Sequence, residues 1–384
     1  MSISGRKIDI SGGYAYSLGV SASRPVFDPD LPFNDLPPLP PPPDVETTAV
    51  FKAVIKAREQ LAALDTACRL IPNPRIITST IPLREAQAST EIENIVTTND
   101  ELFRAAWSVD TDPSPATKEA LRYREALRIG VTHLEDRPVS VKTAEEIGAI
   151  LQGRTALIRA TPGTFIGDPT RQTKVYTPPE GKEVIERHLS SWERFIYLDH
   201  GLDPLVLMAV THYQFEAIHP FYDGNGRTGR ILNVLLLIQE GLLKLPVLYL
   251  SGFIVANKSE YYRLLRAVTE QAQWEEWVLF MVRGVEYAAQ EAYRLIDRLR
   301  QLQEQIVAEI RELGGIQPAA ELAELLMVNP YVRIQDVIDA GLARRQTASG
   351  WLAALVEEKM LVELKMGRQK IFINTRSLGI LTSN

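Results

Sequence analysis

Residues 219–230 read His219-Pro220-Phe221-Tyr222-Asp223-Gly224-Asn225-Gly226-Arg227-Thr228-Gly229-Arg230. The segments on either side of this string organise the chain. An apolar run from Leu205 to Ile218 reads as a helix that ends at His219, and Pro220 bars its continuation. Glycines flanking Asn225 let the backbone turn sharply and expose its N–H groups. A new helix starts near Gly226–Arg227, so its unpaired amides and the positive end of its dipole face the loop, an anion site suited to phosphates. Arg227 and Arg230 stand three apart on one helical face and can reach the same anion. Asp223 offers an oxygen ligand for Mg²⁺, which phosphate chemistry usually needs. His219 opens the loop with an imidazole able to accept a proton.

Composition narrows the chemistry around this loop. The 384 residues contain 45% hydrophobic and 23% charged residues, enough apolar mass for real cores and room for two or three domains. Lys+Arg 42 against Asp+Glu 48 leaves a net charge of −6, which argues against a global nucleic-acid field. One cysteine, Cys68, excludes a disulfide framework and a thiolate metal cluster; on an apolar helix it reads as a small core residue. Of the five histidines, His212 stands two turns before His219 and reads as a helix-face or core residue rather than a metal ligand. The N-terminal twenty residues lack the apolar core of a secretory signal, and no run is long enough to span a membrane, so a cytoplasmic location with no membrane partner is expected.

Six of residues 37–43 are proline, and this stretch reads as an extended strap over the surface, with an SH3-type ligand as the alternative. Helical periodicity dominates beyond it. Val50, Val54, Leu61 and Leu64, with Phe51 and Ile55, are expected on one buried face. Helices are expected over 82–107, 116–135, 141–152, 180–199, 204–218, 227–241, 258–270 and 274–307. Turn residues around short β-prone pieces between Thr161 and Pro179 predict a hairpin. The last seventy or so residues change character: helices over 319–328, 332–340 and 344–358, then strands over 361–366 and 369–373, form the pattern of a winged helix-turn-helix with Gly367–Arg368 at the wing tip. Eight Lys/Arg against five Asp/Glu over 331–376 make a weak basic footprint. DNA binding and a protein-docking or dimer-supporting role both stand open for this end.

The full string resembles the Fic family pattern, His-Pro-Phe-x-Asp/Glu-Gly-Asn-Gly-Arg-x-x-Arg, at every fixed position. The resemblance implies a mainly α fold, a Fic-type helical bundle with a β-hairpin flap, plus the C-terminal winged helix-turn-helix domain. The implied division is a tail and proline strap over 1–43, an N-terminal helical region over 44–115, a catalytic core over 116–307 and the C-terminal domain over 308–384. It further implies a protein adenylyltransferase that moves AMP from ATP to a Tyr, Thr or Ser hydroxyl of a target protein, or of itself, and releases diphosphate. Carried onto this chain, His219 becomes the base, Asp223 the Mg²⁺ ligand, Gly224, Asn225 and Gly226 the phosphate cradle, Arg227 the β-phosphate contact and Arg230 the γ-phosphate contact, with Thr228 and Gly229 in the same ATP-binding turn. Tyr261 and Tyr262 fall near the adenosine by looser similarity, with helix packing as the alternative. Val175, Tyr176 and Thr177 become the flap residues that register the target chain by strand pairing. A homodimer is also among the family's implied properties.

A second motif, Ser89-Thr-Glu-Ile-Glu93-Asn94, matches the family's inhibitory signature Ser/Thr-x-x-x-Glu-Gly/Asn, placed N-terminal to the loop in the same chain. A Glu93 carboxylate pairing with Arg230 would take the place of the γ-phosphate and leave ATP badly aligned. The competing readings are removal of AMP from a target, transfer of another phosphate-containing group on the same fold, and a winged-helix DNA-binding regulator.

Overall fold

The computed structural model describes residues 27–41, 45–107, 112–168, 173–366 and 369–383. The wing tip Gly367–Arg368 and the strap prolines Pro25, Pro42 and Pro43 lie outside them.

Helix α1 (Thr48–Leu70) is capped by the Thr47 side chain and buries Val50, Val54, Leu61 and Leu64. Phe51 and Ile55 do not join that face; they are 49% and 66% exposed. With one main partner helix the buried stripe is narrow, and residues one position from it turn about 100° away. A short α2 (Arg75–Thr78) follows.

The helix expected over 82–107 is two helices, α3 (Ile81–Ile92) and α4 (Asn99–Ala106). Asn94 takes a left-handed conformation, φ 62°. The N–H of Ile95 bonds Thr90 O and that of Asn94 bonds Glu91 O, a complete Schellman stop. Thr98 then caps α4 through Glu101 N.

Helices α5 (Pro115–His133) and α6 (Val141–Gln152) start at the side-chain caps Ser114 and Ser140. Strands β1 (Ile166–Asp168) and β2 (Thr173–Tyr176) pair antiparallel where the hairpin is expected. After α7 (Lys182–Tyr197) come α8 (Pro204–Ile218) and α9 (Asn225–Gln239). These two form the central hairpin; α8 is buried almost all round, so its apolar sequence has no solvent face. Helix α10 (Leu250–Ala256), absent from the sequence expectation, precedes α11 (Lys258–Gln271) and α12 (Trp274–Leu313). At 40 residues α12 runs about 60 Å. Its N-terminal half buries Trp277, Met281 and Val285, and its far half buries Leu299, Ile306 and Ile310.

The C-terminal elements are α13 (Ala319–Val328), β3 (Tyr331–Val332), α14 (Ile334–Asp339), α15 (Arg345–Glu357), β4 (Val362–Met366), β5 (Gln369–Ile373) and α16 (Thr375–Thr382). The three strands pair in the order β3-β5-β4, all antiparallel. Within this C-terminal stretch the order of helices and the β4–β5 hairpin follow the sequence expectation, with β3 and α16 added.

Residues 27–41 lie along the hairpin and α8. Phe33 N donates to Thr177 O at 2.9 Å, Gln214 Nε2 donates to Pro37 O at 3.3 Å, and the Phe27 ring stacks on Tyr176. Among the described residues no helix is long and apolar enough to cross a membrane.

Candidate active site

The loop 219–224 joins two buried helices, and its own side chains fix its shape. His219 closes α8 in a left-handed conformation, φ 48°, with its N–H on Phe215 O. Asn225 spans the turn: its Oδ1 accepts from Phe221 N at 2.8 Å and its Nδ2 donates to Phe221 O at 2.7 Å. Its side chain therefore holds the loop together, while Gly224, at φ 78°, supplies the turn into α9. The hydroxyl of Thr228 is buried without a partner in the first turn of that helix.

Arg227 and Arg230 leave α9 on one side, both 2% exposed. Arg227 is paired with Glu119 of α5 and lies 3.2 Å from the Asp223 carboxylate. Arg230 is gripped by Ser89 and Glu93 at the end of α3. Its Nε donates to Ser89 Oγ at 2.8 Å, and one terminal nitrogen donates to Ser89 O and to Glu93 Oε1, each at 2.9 Å. Burial works against the guanidinium charge, yet Glu93 and the other anionic neighbours outweigh it, and its pKa is raised. A Cβ on Gly226 would stand 2.4 Å from Glu93 Oε1 and 2.9 Å from an Arg230 nitrogen. The Glu93 carboxylate thus rests directly over the first turn of α9, where any side chain in place of Gly226 would push it or Arg230 aside.

Burial depresses the His219 imidazole to about 4, with the nearby Arg159 charge acting in the same direction. It is a neutral ring over the whole physiological range. Glu216, one turn before it, is pushed up to about 7 by burial, despite Arg230. Asp223 is the exposed acid of the loop, its side chain 63% accessible. Among the described residues no three His, Cys, Asp or Glu side chains gather as a ready-made metal cluster.

A cleft of about 460 Å³ opens beside Glu93 and Asn94, bounded by Val175 and Tyr176 of the hairpin and by Tyr262 of α11. Tyr262 is 42% exposed and lines it. Tyr261 does not: it is 1% exposed and bonds His212 at 2.9 Å in the core. The two are neighbours on one helix and so point about 100° apart. Val175 faces outward, whereas the Tyr176 hydroxyl anchors the hairpin to Ala217 O at 2.8 Å and Thr177 turns to the strap through Pro29 O.

Three groups around the site escape sequence reasoning. Glu119 pairs with Arg227 from 108 positions away. Glu85, 1% exposed on α3, accepts from Tyr123 and from both the N–H and hydroxyl of Ser251. Burial raises its pKa. Arg159 is 1% exposed in the turn-rich stretch before the hairpin, where nothing in the spacing marks it. The contacts of Glu119 and Glu85 are long-range, and those of Arg159 are to main-chain carbonyls, so no local pattern carries a signal.

Three family models match in order along the chain: Fic/DOC family N-terminal over residues 51–132, Fic/DOC family over 139–237, and Protein adenylyltransferase SoFic-like, C-terminal domain, over 302–377. Curated relatives named protein adenylyltransferase Fic, from Drosophila sechellia and Drosophila melanogaster, are 33% identical over 109 residues. That alignment covers 27% of this chain and only 21% of each relative's length. A Fic family protein from Desulfovibrio desulfuricans G20 superposes with a TM-score of 0.56 at 23% identity, covering 85% of this chain and 96% of that one. A Fic domain containing signaling protein from Bacteroides thetaiotaomicron VPI-5482 gives 0.50 at 17% identity, covering 62% and 95%. At these identities the likeness to the solved structures is one of fold. With the three models in sequence order and the loop of residues 219–230 set between α8 and α9, the chain belongs to the Fic/DOC family.

Proposed function

We propose that this protein transfers AMP from ATP to a Tyr, Thr or Ser hydroxyl of a protein, itself included, and that its own Glu93 restrains the reaction. The observation that carries this reading is the Glu93 carboxylate seated on Arg230 above Gly226. An anion already occupies the guanidinium at the amide-rich start of α9, where a terminal phosphate would bind.

With Glu93 displaced, Arg230 is free to take the γ-phosphate and Arg227 the β-phosphate, which leaves the α-phosphate beside His219. The neutral imidazole accepts the proton of the acceptor hydroxyl, the hydroxyl oxygen bonds to the α-phosphorus, and the bond to the diphosphate breaks. In the two-stranded sheet β2 pairs with β1 on one edge, and its other edge, beside the exposed Val175, can take an acceptor segment as an added strand. The donor set fits Mg²⁺: one exposed carboxylate, Asp223, at the mouth of a phosphate site, which matches an ion usually held by one or two carboxylates and substrate phosphates. When bound with the nucleotide, that ion would offset phosphate charge.

Labelling with α-labelled ATP tests the reading. Glu93→Gly is expected to raise incorporation and His219→Ala to abolish it. Full incorporation in His219→Ala would overturn the mechanism.

A further inference from the structure

Arg159 has an unusual set of partners. Its Nε donates to His219 O at 2.6 Å, and one terminal nitrogen donates to Ile218 O at 3.2 Å and to Pro179 O at 2.9 Å. Its own N–H donates to Pro220 O at 2.9 Å, and its neighbour Ile158 forms an antiparallel bridge with Phe221. One step further, the Tyr222 hydroxyl meets Ala160 N and Thr161 N. All three acceptors of the guanidinium are main-chain carbonyls, two at the end of α8 and one just past the hairpin.

A fully buried guanidinium is costly unless its donors are satisfied, and this one is spent on backbone where the backbone is strained. His219 holds φ 48°, a region that costs an ordinary residue about 1–2 kcal/mol. Pro179 O marks the point where the chain leaves the hairpin toward α7. We propose that Arg159 is a positioning residue that clamps the backbone of His219 to the exit of the hairpin, so that the base and the strand that receives the acceptor move as one body. Clamped in this way, a shift of the flap carries the base with it, and the distance between the acceptor hydroxyl and the imidazole is kept.

This inference rests on the adenylyl-transfer reading for its kinetic consequence but not for its physical test. The charged groups that face the His219 ring are Arg159, Glu93 and Asp223. Removing Arg159 takes away the cation that opposes protonation, whereas a lysine keeps the charge and loses the planar fork. The test uses the full chain with Arg159→Met and Arg159→Lys, each alone and with Glu93→Gly. Hydrogen exchange of residues 173–177 and NMR titration of the His219 ring are measured first, because neither needs turnover. Both variants are expected to exchange the hairpin amides faster, and only Arg159→Met should raise the imidazole pKa. In the Glu93→Gly background both should lose roughly 10²-fold in kcat, the cost of about 1 Å of misplacement, with KM for ATP little changed. Unchanged hairpin exchange in folded Arg159→Lys overturns the clamp. If Arg159→Met does not fold, Arg159→Lys decides alone. If Glu93→Gly itself transfers no AMP, the function reading fails while the exchange and titration results still judge the clamp.

Discussion

His219 and His212 show how burial sets the chemistry of single side chains. Both imidazoles are depressed, His219 to about 4 and His212 to about 3, by burial first and by a neighbouring guanidinium second, Arg159 for one and Arg230 for the other. A folded pKa below the unfolded value of about 6.5 means that the unfolded chain binds more protons as the pH falls. The stability tied to each neutral ring is complete above about pH 6.5 and is lost as the pH falls toward the folded value. Glu216 acts with the opposite sign between about 4.5 and 7, because its pKa is raised, so a difference between variants isolates the histidine. Between pH 7.5 and 5 the parent should lose roughly 2 kcal/mol more than His212→Gln, at about 1.4 kcal/mol per unit below 6.5, read from urea midpoints. The transfer rate should show its acid limb no higher than about pH 4 in the Glu93→Gly background, since Glu93 itself favours the protonated ring, measured under saturating ATP; a limb near 6.5 would mean an ordinary solvated base. At this scale the loop is legible in the sequence because its residues are contiguous. Arg159 is not, because its partners are carbonyls that every residue possesses.

Among the elements, α3 and its stop decide where Glu93 stands. The asparagine after Glu93 has a backbone reason: Asn94 is the left-handed residue that ends the helix and turns the chain away just after Glu93. Asn94→Gly should therefore keep basal labelling low, although the bond from Lys258 Nζ is lost. Asn94→Val, strained by about 1–2 kcal/mol in that conformation, should loosen the Glu93–Arg230 pair and raise self-labelling several-fold. Equal labelling in the two variants would separate the helix stop from the restraint. The sequence does carry a mark of the break, since Thr98 and Glu101 have the spacing of a capping box before α4. Apolar periodicity alone runs through it, which is why one helix over 82–107 is expected there. Helix α10 is missed for a different reason: seven residues are too few for a period to show.

At the scale of the molecule, the C-terminal domain rests on the helical unit that carries Glu93. Trp107 packs against the Tyr331 ring, centroids 6.5 Å apart, and donates to Asn329 Oδ1 at 3.1 Å, Asn73 donates to Glu324 at 2.6 Å, and Arg84 of α3 donates to Ser383 O at 3.0 Å. Trp107→Ala removes both its ring contact and its hydrogen bond to the domain, and a loss on the order of 2 kcal/mol is expected for a half-buried ring. Hydrogen exchange over 319–382 should quicken in that variant while α8 and α9 stay protected. Uniform quickening would show that the domain does not open by itself. The helix order of this domain is legible from periodicity, but its seat is not, because it depends on side chains more than two hundred positions apart.

The most direct measurement is intact-mass spectrometry of the purified full chain, the parent beside Glu93→Gly, after incubation with ATP and Mg²⁺. An adduct of one AMP that is scarce in the parent, abundant in Glu93→Gly and absent when His219→Ala is added is the expected result. Equal adduct in the parent and Glu93→Gly, or an adduct that survives the loss of His219, would contradict it.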